Sequence, residues 1–270
     1  MTAPVFLFTS ETIEPADAAA SATAGSILML TGPEARHAVT VKRLRSQERV
    51  DLVDGAGLRL VCEVTGAGVG GAKDRLAVRV LERVEEPAPP LRLTLIQALA
   101  KGGRDEQAVE TATEVGVELV LPWQSERCVS VWQGAKQTKG RQRWQATALQ
   151  AAKQSRRVRV PEVEAVRDTR ALVDWVGQTV RAGGVVLVLH EEARTPISTA
   201  MEAVRLPASG AAPRVMAVVV GPEGGITPEE TAALEAAGAT TVRLGPHVMR
   251  TASAGPVALA VLAHSSGLWE

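Results

Sequence analysis

The sequence predicts an α/β protein in which a small N-terminal β-barrel is joined to a larger domain built on a parallel sheet. Three observations predict it. Beyond residue 90, apolar runs of strand length alternate with amphipathic segments of helix length, the mark of a parallel sheet with helices on both faces. Before residue 85, short β-rich pieces recur at close intervals with turn signals between them, as in a small barrel. Between the two, Glu85-Glu86-Pro87-Ala88-Pro89-Pro90 is a proline-rich, semi-rigid joint, which sets the expected domains at residues 1–86 and 87–270.

In the first part, strands are expected at residues 5–8, 27–30, 50–53, 58–64 and 76–84, with Asp54-Gly55-Ala56-Gly57 and the glycine-rich stretch 66–71 as turns. One helix is expected over 33–44. Arg36, Lys42, Arg43 and Arg45 lie on it or just after it, with no acid between Ala35 and Gln47, and form a small basic patch. Beyond the joint come strand 91–99, the loop Lys101-Gly102-Gly103-Arg104, helix 105–115, strand 117–121, helices 136–153 and 169–181, and strand 185–189. Trp144, Ala148 and Ala151 share one face of the 136–153 helix, which makes Trp144 a core anchor.

The C-terminal stretch carries the densest pattern. Val215-Met216-Ala217-Val218-Val219-Val220 is an unbroken apolar run rich in β-branched residues, so it is expected as a central strand covered on both faces. It stops at Gly221-Pro222-Glu223-Gly224-Gly225, whose glycines permit positive φ and close approach of a ligand to the backbone. Thr227-Pro228-Glu229-Glu230 is a capping signature, and the helix it opens should end near Ala237 with Gly238 as its stop. A short strand at 242–244, a turn at Gly245-Pro246-His247 and a final helix over 256–263 follow. Two glycine turns at the C-terminal ends of neighbouring parallel strands form a ligand crevice. Glu223 works against an anion there, and the spacing departs from the dinucleotide and P-loop fingerprints, so a neutral or cationic nucleoside fits better than a nucleotide.

Composition bounds the setting. The 270 residues, 46% of them apolar, are enough for two cores. Cys62 and Cys128 stand far apart, which points to reduced thiols. With no leader pattern and no apolar run of bilayer length, a soluble cytoplasmic protein is expected, with no membrane partner. No His/Cys cluster has ligand spacing, so no metal is expected. The formal net charge is zero, yet from Arg127 to Pro161 there is no Asp or Glu among nine Lys and Arg. A basic segment of that kind is expected to hold a phosphate backbone, through Lys153, Arg156, Arg157 and Arg159 here and through Arg43 and Arg45 in the first patch. Lys101 and Arg104, in a loop at the ligand end of the sheet, are candidates to hold RNA beside the crevice.

Four strings carry a family resemblance: VVVGPEGGITPEE (218–230), LGPHVMRTASAG (244–255), LVLHEEA (187–193) and ATEVGVELVLPWQSERC (112–128). They resemble the RsmE-type 16S rRNA uracil-N3 methyltransferases of the SPOUT superfamily, and VKRLRSQERVDLVDGAG (41–57) resembles their PUA-like RNA-binding domain. The resemblance implies S-adenosylmethionine as cofactor in a deep trefoil knot built from the C-terminal loops, a homodimer, and 16S rRNA of the small ribosomal subunit as partner. Cofactor contacts are expected from Leu189, His190, Gly221, Glu223, Gly224, Leu244, Gly245, Val248, Met249, Ser253 and Ala254. Arg250 is the expected catalytic cation beside the forming uracil anion, the alternative being a salt bridge to Glu223.

This chain departs from the family pattern at three places. Pro4-Val5 stand where many relatives carry an arginine, His247 where many carry an arginine, and Ala252 where many carry a glutamate. Ala252 removes one candidate proton acceptor, for which Glu191 is a possible substitute. Two other readings stay open on these grounds: a non-catalytic RNA-binding assembly protein, and methyl transfer to a ribose hydroxyl or to tRNA.

Overall fold

In strand β5 (Leu58–Ala67) the side chains of Leu58, Leu60, Cys62 and Val64 are buried while those between them are only partly so, the period-two pattern of a sheet with one covered face. The computed structural model describes residues 3–202 and 214–269. It divides the chain into two units, residues 1–88 with 152–160 and residues 89–151 with 161–270.

In the first unit, β5 is joined by β1 (Val5–Leu7), β2 (Ile13–Glu14), β3 (Ile27–Thr31), β4 (Arg49–Val53) and β6 (Arg75–Glu85), with the short α1 (Ala18–Ser21) after β2. The sheet order is β1-β4-β5-β6-β3-β2, antiparallel except for the parallel pair β1 and β4. Phe6 of one edge strand and Ile13 of the other share a single apolar core with Leu28, Leu52, Leu60 and Leu76. Edge strands meet in one core only if the sheet curls, which is the barrel-like form the sequence predicts. The expected helix begins at Gly32 as α2 (Gly32–Arg36) and passes at once into a π-helical stretch, His37–Val41. His37 packs edge-on against Phe6 at 6.0 Å.

The second unit is a parallel sheet. Its strands are β7 (Leu91–Ala98), β8 (Leu119–Gln124), β9 (Glu162–Val163), β10 (Arg167–Asp168), β11 (Val185–Leu189), β12 (Arg214–Val220) and β13 (Thr240–Val242). The helices are α3 (Arg104–Val115), α4 (Ala135–Gln154, whose end belongs to the first unit), α5 (Thr169–Arg181), α6 (Ile197–Glu202), α7 (Pro228–Ala236) and α8 (Thr251–Ser265). The strand order is β10-β8-β7-β12-β11-β13, with β9 beside β8. The unbroken apolar run is the central strand β12: Met216, Val218 and Val220 enter the core on one face, and Ala217 and Val219 enter the core on the other. Trp144 is fully buried, edge-on to Trp132 at 5.1 Å, and Gly140 leaves that ring its space, since a Cβ there would overlap it.

Among the boundaries that differ from expectation, two lie close to the C-terminal turns. The final helix starts at Thr251, five residues before the predicted 256, so Pro256 lies inside it. A proline inside a helix loses one hydrogen bond and crowds the carbonyl four residues earlier; it also crowds the Cβ and N–H of the residue before it, and that residue is Gly255, which has no Cβ. Gly255 has a second reason to be glycine, because a Cβ would lie 2.6 Å from Leu95 Cδ1 and 3.1 Å from Val220 Cγ2. The last strand is Thr240–Val242 rather than 242–244, because Arg243 has left the sheet to bond the loop before α6 through Thr195 and Ile197.

Candidate active site

Strands β12, β11 and β13 are adjacent and parallel, so the segments that follow them leave the sheet on one side. Almost all of the expected cofactor residues fall there. Leu189 ends β11, and His190 follows with its amide donating to Val242 O (3.0 Å) and its Nδ1 accepting from Glu192 N (3.2 Å). Gly221, Glu223 and Gly224 form the turn after β12, where a Cβ on Gly221 would meet Ile226 Cγ1 at 2.6 Å. Leu244, Gly245, Val248 and Met249 follow β13, Val248 being 75% exposed and Met249 41%. Ser253 and Ala254 lie in the first turn of α8; Ser253 is exposed, whereas Ala254 packs into the apolar core and turns its methyl away from solvent. Arg250 is the N-cap residue of α8, exposed, and paired with no carboxylate among the described residues. Glu191 is exposed in the loop after β11.

The turn after β12 is held at three points. Thr251 Oγ1 donates to Gly221 O (2.9 Å) and accepts from Gln97 Nε2 (2.8 Å). Glu223 Oε1 accepts from Lys101 N (3.2 Å) and from Arg104 Nη1 (2.9 Å). Arg127 Nη1 donates to Gly224 O (3.1 Å). The partner of Glu223 is therefore Arg104, not Arg250, and this leaves the Arg250 guanidinium available. Burial pushes the Glu223 carboxyl up, but bonds from its own amide, from Lys101 N and from Arg104 outweigh it and hold the group below the usual carboxylate range. Behind this turn, Glu230 is buried and accepts from Glu126 N (2.9 Å) and Thr169 Oγ1 (2.7 Å), which joins α7 to the loop after β8 and to the first residue of α5. An open groove of about 650 Å³ lies beside them, lined by Ser125, Cys128, Val131, Thr169 and Glu230, and shares no residue with the expected cofactor set.

Residues 87–263 match the family described as RNA methyltransferase domain, and residues 30–72 match the RNA methyltransferase PUA domain. Ribosomal RNA small subunit methyltransferase E of Mycobacterium bovis is 45% identical over 246 residues, which is 91% of this chain and 89% of that protein. The chain belongs to this methyltransferase E family. The Bacillus subtilis member is 29% identical over 88% of this chain and 90% of its own. The crystal structure of the Neisseria gonorrhoeae member bound to S-adenosyl methionine superposes with a TM-score of 0.76, at 26% identity over 98% of both chains.

The residues expected at RNA divide between the two units of this methyltransferase E chain. Arg43, Arg45, Lys153, Arg156, Arg157 and Arg159 belong to the first unit, Lys101 and Arg104 to the second. Arg43, Arg45 and Arg156 are exposed, Arg43 and Arg156 with positive φ of 54° and 61°. Several other cations of the acid-free run are engaged by groups distant in sequence. Lys153, 10% exposed, pairs with Glu34 at 2.7 Å, Arg159 Nη2 donates to Glu86 O (2.9 Å), Arg141 Nε to Val163 O (2.7 Å), and Arg143 pairs with Glu106 at 2.7 Å. Absence of local acids therefore did not mean a uniformly free basic face. Sequence reasoning missed Gln97, Arg127 and Thr251 as site residues. A polar residue directly after the apolar pair Leu95-Ile96 of β7 was the available signal for Gln97, and Arg127 was counted only as charge.

Proposed function

We propose that this chain transfers a methyl group from S-adenosylmethionine to N3 of a uridine in 16S rRNA. Membership in the family carries the coarser statement, RNA methyl transfer. The observation that carries the finer one is the convergence of three strand-end segments on one side of the sheet with Arg250, which pairs with no carboxylate among the described residues, at the start of α8. Bound there, S-adenosylmethionine supplies an electrophilic methyl on a sulfonium. The backbone groups of residues 189–190, 221–224 and 244–249 suit such a ligand: they offer amides and carbonyls, apolar Leu244, Val248 and Met249 for a base, and no Lys or Arg to repel a sulfonium. In the transfer, the bond from methyl to sulfur breaks as the bond to N3 forms, and the N3 proton leaves to a base. The chain contributes alignment and the Arg250 charge, which stabilises the uracil anion. Glu191 is the nearest acid in sequence to this set that Arg104 does not already hold, and we assign it the proton.

The same reading includes a trefoil knot and a homodimer. β13 lies at the sheet edge beyond β11, whereas α8 packs on β7 and β12, with α6 touching both β13 and α8. A chain that returns past α6 in this way supports the knot. Exposed Val248, Met249, Val257 and Trp269 support a second copy as cover for the outer side of α8. Exposed Lys42, Arg43 and Arg45 support the first unit as the RNA-docking part, and the cytoplasm as the compartment follows from the substrate.

The test is nucleoside mass spectrometry of 16S rRNA treated with the purified protein and S-adenosylmethionine. Appearance of 3-methyluridine is expected. A ribose-methylated product, or none despite cofactor binding by calorimetry, rejects the reading.

A further inference from the structure

Gln97 is fully buried near the end of β7, between Ile96 and Ala98. Its Nε2 lies 3.1 Å from Ala98 O and 2.8 Å from Thr251 Oγ1, and Thr251 Oγ1 lies 2.9 Å from Gly221 O. A carbonyl can only accept, so the atom facing Ala98 is the amide nitrogen, and this settles which way the side-chain amide is turned. A hydroxyl has one proton. Because Thr251 accepts from Gln97, that proton is aimed at Gly221.

The other end of the amide has no such explanation. Gln97 Oε1 is buried without a hydrogen-bond partner among the described residues, 3.8 Å from where a Cβ on Gly255 would stand. A buried acceptor without a donor lowers stability. Leucine would fill similar space without that cost, so what the amide adds is its two N–H bonds, one of which ends on Thr251 Oγ1, whose own proton goes to Gly221 in the turn after β12.

We propose that Gln97 is a positioning residue for methyl transfer: it points the Thr251 hydroxyl at Gly221 and thereby locks the turn after β12 to the first residue of α8, next to Arg250. Gln97 touches no ligand itself, being sealed from solvent. The inference rests on the cofactor placement proposed above.

The experiment uses the full chain as wild type, Gln97→Leu, Thr251→Val, Thr251→Ser and the Gln97→Leu/Thr251→Val pair. S-adenosylmethionine affinity, turnover, RNA affinity and Tm are measured for each. Gln97→Leu and Thr251→Val should each weaken cofactor binding roughly tenfold, the scale of one lost hydrogen bond, and lower turnover, with RNA affinity unchanged. The paired variant should be no worse than either single one, because both break one relay. Thr251→Ser keeps the hydroxyl and should behave as wild type. Gln97→Leu should lose function without losing Tm, which a merely structural residue would not do. Wild-type cofactor affinity in Gln97→Leu, or additive losses in the paired variant, overturns this inference alone. Failure of the wild-type chain to bind S-adenosylmethionine overturns the proposed function and this inference with it.

Discussion

Glu223 shows how a single side chain changes meaning once its neighbours are known. In the sequence it is a carboxylate inside a glycine turn; in the structure it is the point where Lys101 and Arg104 hold that turn. Its folded pKa is depressed, so the stability it contributes is present above the ordinary value of 4.5 and is lost as pH falls through the lower folded value. A titration of the Glu223 carboxyl carbon by NMR should give a midpoint below 4.5; a midpoint at or above it means that Arg104 and Lys101 do not hold the charge. Arg250 is the opposite case, a cation with no acid partner among the described residues. Arg250→Ala should lower kcat by about 10² to 10³, as loss of a charge-stabilising donor does, with little change in cofactor affinity. Normal turnover in that variant removes Arg250 from the chemistry. Cys62 is buried in the first core, and burial together with the Asp51 charge pushes its thiol up to about 12. Iodoacetamide at pH 8 should leave it unmodified in the folded protein, and rapid alkylation at Cys62 would show that the curled sheet opens.

At the scale of elements, local chemistry and long-range packing meet at helix ends. The capping box of α7 was readable from Thr227-Pro228-Glu229-Glu230, and both of its bonds form: Thr227 Oγ1 accepts from Glu230 N at 3.1 Å and Glu230 Oε2 from Thr227 N at 3.2 Å. Glu230 Oε1 has a further duty to Glu126 and Thr169 that no local pattern announces. Thr227→Ala should therefore cost about 1 kcal/mol, the scale of an N-cap, while Glu230→Ala should cost more because three donors lose their acceptor. Equal losses of Tm in the two variants would show that the bonds to Glu126 and Thr169 contribute nothing. α8 teaches the same point from the other side. Its proline suggested a start at 256, whereas the bonds of Thr251 to Gly221 and Gln97 fix its start at 251.

Across the whole molecule, charge is organised by unit rather than by run. The acid-free stretch from Arg127 to Pro161 splits between the two units, and many of its cations neutralise acids or cap carbonyls remote in sequence. The exposed group Lys42, Arg43 and Arg45 is compact in sequence and belongs wholly to the first unit. Replacing these three by glutamate should weaken RNA binding and flatten its dependence on salt, leaving S-adenosylmethionine affinity unchanged. An unchanged salt slope would mean that RNA is held elsewhere.

Elements whose pattern is local were legible in the chain itself. The β-branched run of β12, the alternation in β5, the apolar face around Trp144 and the glycine turn followed by a capped helix each state their structure within a dozen residues, because side-chain period and backbone sterics act over that range. What only the tertiary structure decided is which polar groups find each other: Arg104 with Glu223, Lys153 with Glu34, Gln97 with Thr251 and Thr251 with Gly221. Those partners are 119, 119, 154 and 30 residues apart. A hydrogen bond requires approach to about 3 Å, and over such separations that distance is set by the packing of sheets and helices, which no local pattern encodes.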